Sequence, residues 1–248
     1  MNDDVMLDPA LIPTPVKGIL GLLAKQSSFS IVQIGAYIGN TVNDPLYDFL
    51  RTLDPQAVAK IVLVEPIHEY FDRLCETYSH VPSIEFENVA ISETTGEAEM
   101  YRLDVDPVEH GFPEWLAQLS SLREERMGKL WDASEANNDF AAKCKQFYSE
   151  HQVVEKVTCM TLHELLAKHQ IEDLDLLLID AEGYDYKILK TLDFSKLRPQ
   201  FINYERVLLQ EDEQACREMI AAQGYLLVDW GHDTFCVIKE RVVDSIGV

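Results

Sequence analysis

Residues 174–192, LDLLLIDAEGYDYKILKTL, constrain the fold more than any other stretch of the chain. The run from Leu174 to Ile179 is apolar except at Asp175, the pattern of a strand buried on both faces of a parallel sheet. It ends in Asp180-Ala181-Glu182-Gly183, and a helical pattern follows at once through Tyr184, Ile188 and Leu189. Two carboxylates therefore stand at the carboxyl end of a central strand, where open α/β sheets bind their ligands. Acids buried there cost stability unless paired or hydrogen-bonded, so a site is expected at Asp180 and Glu182. The simpler alternative is that Asp180 only caps the next helix.

The rest of the chain alternates in the same way. A helix is expected over Val16–Lys25 after the Pro13-Thr14-Pro15 turn, then a strand at Ser30–Ile34 and a helix from about Pro45 to Leu53. Ile61–Glu65 reads as the next strand, with its helix opening at Pro66, a residue suited to the first helical position. Ile84–Ile91 reads as a third strand, and Glu97–Leu103 alternates like an edge strand. Between Asp104 and about His151 the pattern breaks into a charged segment with Trp115 and Trp131, expected to be an insertion with one or two helices serving as a lid or binding loop. Val153–Cys159 returns to strand, and Thr161-Leu162-His163-Glu164 is a capping box opening a helix to about His169. Phe201–Tyr204 ends at Glu205, and a helix from Asp212 to Gln223 stops at Gly224. Tyr225–Trp230 and Thr234–Lys239, joined by Gly231-His232-Asp233, form a closing hairpin. The expectation is one α/β domain over residues 1–248: a seven-stranded, mostly parallel, doubly wound sheet with a terminal antiparallel hairpin and helices on both faces.

Charge narrows the partners. Lys+Arg of 21 against Asp+Glu of 43 leaves a formal net charge of -22, which repels phosphate backbones and anionic membranes, so neither nucleic acid nor membrane is expected. The N-terminus MNDDVMLDPA lacks the pattern of a secretory signal, and no run approaches the ~18 apolar residues of a membrane span. Cys75, Cys144, Cys159, Cys216 and Cys236 are scattered and odd in number, with no ligand spacing, which argues for reduced thiols and a cytoplasmic location. Oligomeric state is not legible.

Three strand ends suggest a ligand. The first runs into Gln33-Ile34-Gly35-Ala36-Tyr37-Ile38-Gly39, a G-x-x-x-G that lets a ligand approach the backbone, or else a plain turn. Glu65, ending IVLVE, can hold both hydroxyls of a ribose, or can be an acid placed at a helix N-terminus. The third ends in Glu87-Asn88-Val89-Ala90 where an adenine edge would lie, although Asn88 is also a turn former. Taken in order, the three favour adenosine. The absence of a long glycine-rich phosphate loop argues against a pyrophosphate, and acidic strand ends suit a cation. S-adenosylmethionine fits.

The set VQIGAYIGN, VLVEP, NVAIS, LSSL, IDAEGYDYKIL and FINYE resembles the FkbM-type S-adenosylmethionine-dependent methyltransferases, over roughly Ser30 to Lys239. The resemblance implies a Rossmann-like class I methyltransferase fold. It implies that Gln33, Gly35, Ala36, Tyr37, Gly39 and Asn40 wrap the methionine and ribose, that Glu65 holds the ribose hydroxyls with Pro66 and Ile67 beside the adenine, and that Asn88 and Val89 face the ring. Ser120-Ser121-Leu122 is similar to a segment the family often carries near the site, and Asp180 and Glu182 would sit by the sulfonium and the acceptor. The family more often has Val where Ala181 stands and Glu where Asp185 stands; the shorter side chain speaks against a direct catalytic role for Asp185.

The implied reaction is methyl transfer, most simply to a hydroxyl of a sugar or natural-product small molecule. Asp180 and Glu182 are the first candidates for general base, and Glu205, at the end of the following strand, could approach them, in which case mutual repulsion would raise at least one pKa. The same acids could instead hold a divalent cation, which is possible but not expected. His232 and His110 are further base candidates, a solvated loop position being the commoner fate of such histidines. Phe112, Trp115 and Trp131 form either the core of the insertion, the favoured reading, or a wall of the acceptor pocket. The rivals are a non-catalytic methyltransferase-like binding protein and a nicotinamide-dependent oxidoreductase, the latter disfavoured by the missing third glycine and the lack of a Tyr-x-x-x-Lys pair.

Overall fold

The structure, a computed structural model, describes residues 15–41, 44, 46–54, 58–122 and 139–239. The Pro13-Thr14 part of the expected first turn, Pro45 and Trp131 lie outside the described residues. Seven strands form one sheet: β1 (Ser28–Ile34), β2 (Val58–Val64), β3 (Ile84–Glu87), β7 (Leu176–Ile179), β8 (Phe201–Glu205), β9 (Tyr225–Trp230) and β10 (Asp233–Ile238), in the order β3-β2-β1-β7-β8-β10-β9. The pairs from β3 to β8 are parallel, and β10 runs antiparallel to both β8 and β9.

β7 is central because nothing in it needs water. Leu176, Leu177, Leu178 and Ile179 are all buried, and their alternation puts Leu177 and Ile179 in the core on one face, Leu176 and Leu178 in the core on the other. Asp175, the polar break in the run, is satisfied by Ser30: its Oδ2 accepts from the Ser30 amide at 2.9 Å and hydroxyl at 3.3 Å. The chain leaves β1 toward β2 on one side and enters β7 on the other, which makes the carboxyl ends of β1 and β7 the topological switch point.

A second sheet, absent from the sequence expectation, consists of β4 (Ala90–Ile91), β6 (Gln152–Met160) and β5 (Gly96–Leu103), in the order β4-β6-β5. The segment read as one strand, Ile84–Ile91, is thus two strands in different sheets. Asn88 divides it: its side-chain amide donates to the Glu65 carbonyl at 2.9 Å and the Pro66 carbonyl at 3.0 Å, fastening the chain to the end of β2 before it turns away. The helix after β2 spans His68–Thr77 rather than opening at Pro66, because Ile67 is held extended with its amide donated to Glu65 Oε1 at 2.9 Å.

Other elements follow the expected pattern with shifted ends: helices Pro15–Leu23, Tyr47–Arg51 and Glu213–Ala222, the last followed by Gly224 at φ 91°. The helix Leu162–Lys168 opens on a full capping box between Thr161 and Glu164. Within the insertion, a 3-10 turn (Pro107–His110), a short helix (Trp115–Gln118) and a longer one (Asp139–His151) surround a small core of their own. Phe112 stacks on Phe147 at 4.2 Å in that core, beside buried Leu116, Cys144 and Tyr148, whereas Trp115 is exposed.

Candidate active site

A cavity of about 320 Å³ opens at the switch point. Its floor is made by the turns after β1 and β7, and their closeness depends on a missing side chain. Gly35 lies at φ 78°, and a Cβ there would fall 1.8 Å from the carbonyl oxygen of Asp180. The two strand ends are joined by the Asp180 amide, which donates to the Ile34 carbonyl at 3.0 Å, and the β1 turn is tied to β2 by the Gly35 and Ala36 amides, both donated to the Val64 carbonyl at 3.0 Å. Two non-glycine residues, Tyr37 and Glu182, sit at φ 48° in these same turns, a costly backbone region that tends to mark functional sites.

Glu65 is the buried anchor of the site. It is 3% exposed, and its carboxylate bridges two loops, accepting from the Tyr37 amide at 3.0 Å and the Ile67 amide at 2.9 Å. Burial drives its pKa up to about 7 against the pull of these hydrogen bonds, with Asp180 adding repulsion. The carboxylate oxygens retain lone pairs for a ligand. It stabilises the backbone around the helix start and also lines the cavity.

Of the residues expected at the cofactor, Gln33, Gly35, Ala36, Tyr37, Glu65, Pro66, Val89 and Asp180 line the cavity. The others stand behind the wall. Gly39 packs under Tyr78 and Leu74, where a Cβ would meet Tyr78 at 2.4 Å; Asn40 is exposed; Ile67 is fully buried in a hydrophobic cluster; and Asn88 spends its amide on the two backbone carbonyls. Ser121 pairs its backbone with Tyr101 and donates its hydroxyl to the Glu182 carbonyl at 3.3 Å, which leaves its neighbours Ser120 and Leu122 on the cavity.

The acids cluster as their spacing suggested. Asp180 and Glu182 both line the cavity, and Asp180 does not cap the next helix, Asp185–Leu189, which has no side-chain cap. The Asp180 side chain is exposed toward the cavity but walled by protein otherwise. That surrounding desolvates it and, with the charge of Asp233, raises its pKa to about 6. Glu205 is pushed far above the carboxylate range by burial and by the nearby charges of Asp180, Glu182, Asp185 and Asp233, in that order. It stands behind the cavity wall and is not among the residues lining the cavity.

Asp185 explains how the cluster is held. It is fully buried, and its carboxylate accepts from the Gly183 amide at 3.2 Å and the Glu205 amide at 3.1 Å, splicing the turn after β7 to the end of β8. It is a positioning residue. Burial and then Asp180 raise its pKa to about 7.

His232 occupies the exposed tip of the β9–β10 hairpin and is not among the residues lining the cavity; its neighbour Asp233, paired across to Glu205, is. His110 lies in the insertion against Phe147 and His151, away from the cavity. Sequence reasoning missed Asp233, Asn203, Trp230, Lys17 and Asp44, all of which line the cavity from elements far apart in the chain. Among the described residues no three His, Cys, Asp or Glu side chains are grouped as metal ligands. No helix among them is long and apolar enough to cross a membrane.

A mostly parallel sheet in this order, closed by an antiparallel hairpin and carrying its cavity at the switch point, defines a Rossmann-like methyltransferase fold. The family model described as the Methyltransferase FkbM domain matches residues 33–227, and the chain belongs to that S-adenosylmethionine-dependent methyltransferase family. No curated protein matches the sequence. Among solved structures, an O-methyltransferase from Bacillus cereus in complex with SAH is similar at 14% identity and a TM-score of 0.46, over 93% of this chain and 84% of that one. The fibrillarin pre-rRNA processing protein of Methanococcus jannaschii is similar at 10% identity and a TM-score of 0.41, over 91% of this chain and 68% of that one.

Proposed function

We propose that the protein transfers a methyl group from S-adenosylmethionine to a hydroxyl of a sugar or natural-product small molecule. The observation that carries this is the cavity between the β1 and β7 turns, where Gly35 leaves room and Glu65 and Asp180 present carboxylates to it. The group fits there. Its ribose would be held by Glu65, its adenine would lie against Pro66 and Val89, and its sulfur would stand near Asp180. When bound, it supplies a methyl carbon made electrophilic by positive sulfur.

The chain's own residues then have two tasks. The first is alignment, since holding an acceptor oxygen about 3 Å from the methyl in line with the departing sulfur supplies much of the rate. Gln118, Ser120, Tyr184, Asn203 and Trp230 border the cavity and offer amides, a hydroxyl and aromatic faces, a set suited to polyhydroxylated molecules. The second is removal of the acceptor's proton. Asp180, Glu182 and Asp233 line the cavity and are the bases available, and their shared negative charge disfavours anionic acceptors.

A pH dependence follows. Asp180 and Glu65 have pKa values raised to about 6 and about 7, so near pH 6.5 both are partly protonated in the free protein. A sulfonium favours their ionised forms, so binding S-adenosylmethionine should release protons and tighten as pH rises from about 6 to about 7. Calorimetry at pH 6.5 in buffers of different ionisation enthalpy reads the release directly. It should be larger for the sulfonium than for S-adenosylhomocysteine, whose sulfur is neutral. No binding of either compound would overturn the cofactor assignment.

The base is tested by Asp180→Asn and Glu182→Gln, assayed by demethylated-cofactor formation with hydroxylated acceptors. Removing the base should cost about 10²–10⁴ in kcat, and removing the other carboxylate less. Wild-type rates in both variants would assign the role elsewhere, with Asp233 next in line.

A further inference from the structure

One wall of the cavity is a hairpin tip, and one arginine holds it. Asp233, the first residue of β10, pairs with Glu205 on β8 and with Trp230 on β9, so the three side chains leave the sheet on one face. Trp230 and Asp233 line the cavity, and Asn203, on that same face of β8, joins them. The wall lies on the far side of the cavity from Glu65, since β8, β10 and β9 follow β7 in the sheet while β2 lies beyond β1. Only Gly231 and His232 link Trp230 to Asp233, and both are exposed. Arg206 fixes them from the end of β8. Its amide donates to the His232 carbonyl at 2.9 Å and its Nη2 to the Gly231 carbonyl at 3.1 Å, while Nη1 stands 3.6 Å from Glu213 Oε1 at the start of the helix Glu213–Ala222. The guanidinium still keeps one buried donor, Nε, without an acceptor. An unmet buried donor costs stability, so this arginine contributes position more than it stabilises the fold.

The wall combines two parts that suit a saccharide ring and that a flat phenol does not use together. The C–H bonds on one side of a pyranose carry slight positive charge and pack against the negative face of an indole. Two adjacent ring hydroxyls are two donors, matched to the two oxygens of one carboxylate. Burial pushes the Asp233 carboxyl up, whereas a hydrogen bond from Asn203 and the nearby His232 and Arg206 draw it back toward the ionised form that accepts on both oxygens. We propose that Trp230 and Asp233 form a subsite for a neutral pyranose, its ring on the indole and two adjacent hydroxyls donating to the carboxylate, and that Arg206 is the positioning residue that holds this wall to β8. Another ring hydroxyl then extends over β8 toward Asp180, since the ends of β7 and β10 are two strand spacings, roughly 10 Å, apart. The inference rests on the methyl-transfer reading above and narrows its acceptor to sugars.

The test uses protein saturated with S-adenosylhomocysteine and the methyl pyranosides of glucose, galactose, mannose and rhamnose, with 4-methylphenol as the flat rival. Binding is read by titration and by saturation-transfer NMR. At least one pyranoside should bind, with saturation strongest on its ring protons. Trp230→Leu should weaken it about tenfold, as expected for loss of an aromatic platform. Arg206→Met should weaken it about fivefold, and Arg206→Lys, which keeps the charge and a donor for Gly231, should return it to within about twofold of wild type. Both Arg206 variants should bind S-adenosylhomocysteine within about twofold of wild type and unfold within about 3 °C of it, which separates placing a wall from supporting the fold. Tighter binding of 4-methylphenol than of every pyranoside, no binding of any pyranoside, or a pyranoside affinity unchanged in Trp230→Leu overturns the proposal while leaving the cofactor assignment standing. An equal loss of pyranoside and S-adenosylhomocysteine in the Arg206 variants does the same. A wild-type protein that does not bind S-adenosylhomocysteine overturns both.

Discussion

Gly35→Ala is expected to damage both stability and ligand binding. Alanine at φ 78° is already strained, and its Cβ would lie 1.8 Å from the Asp180 carbonyl oxygen, a backbone atom that moves only if β7 moves. β7 is buried on both faces and paired on both sides, so the shift cannot be absorbed locally. The cost should be about 3 kcal/mol or more, lowering the midpoint of thermal unfolding by roughly 10 °C for a chain of this size. Cofactor binding should be lost along with the register of the two turns. Thermal unfolding with and without S-adenosylhomocysteine checks this, and a variant with wild-type midpoint and affinity would mean that the turns are not in contact.

Glu65→Ala should separate binding from stability. The carboxyl is the group expected to receive two ribose hydroxyls, and losing two charge-assisted hydrogen bonds predicts at least about 100-fold weaker binding. Stability responds less because two effects oppose each other. Deleting the side chain abandons the Tyr37 and Ile67 amides, but it also removes a buried charge whose pKa rises from an ordinary 4.5 to about 7. Such a group favours the folded state below pH 4.5 and gives that advantage up as pH rises through 7, a difference on the order of 3 kcal/mol. At pH 8 the variant's midpoint should therefore fall only slightly, and at pH 5 more clearly. A calorimetric affinity equal to wild type would remove Glu65 from the site.

Asp185 shows why the acid cluster is more than a set of reactive groups. Its two backbone hydrogen bonds fix the distance between the β7 and β8 ends, so that Asp180, Glu182, Glu205 and Asp233 feel one another. The shortness of its side chain, which argued against catalysis in the sequence, suits a residue that reaches only the backbone. Asp233 raises the pKa of Asp180, and the surrounding carboxylates raise that of Glu205, a repulsion that a positively charged sulfur would offset.

The order of elements, the parallel sheet with its terminal hairpin, the capping box at Thr161 and the strand-end carboxylates were all legible in the chain. Each depends on local signals: periodicity, glycine and proline punctuation, and a polar residue ending an apolar run. The break at Asn88 was not legible, because the carbonyls that bind its amide belong to Glu65 and Pro66, more than twenty residues earlier. The small sheet was missed for the same reason, since β4 pairs with β6 across the whole insertion. His232 and Asp233 are neighbours in sequence, but the pairing of Asp233 with Glu205 brings only the aspartate to the cavity. Arg206 meets the hairpin tip only through the fold, its guanidinium reaching the Gly231 carbonyl 25 residues further on. Local patterning thus determined which elements form and which strand ends carry acids, whereas long-range pairing alone decided which of those side chains share one cavity, because proximity in space is set by partners that no local window contains.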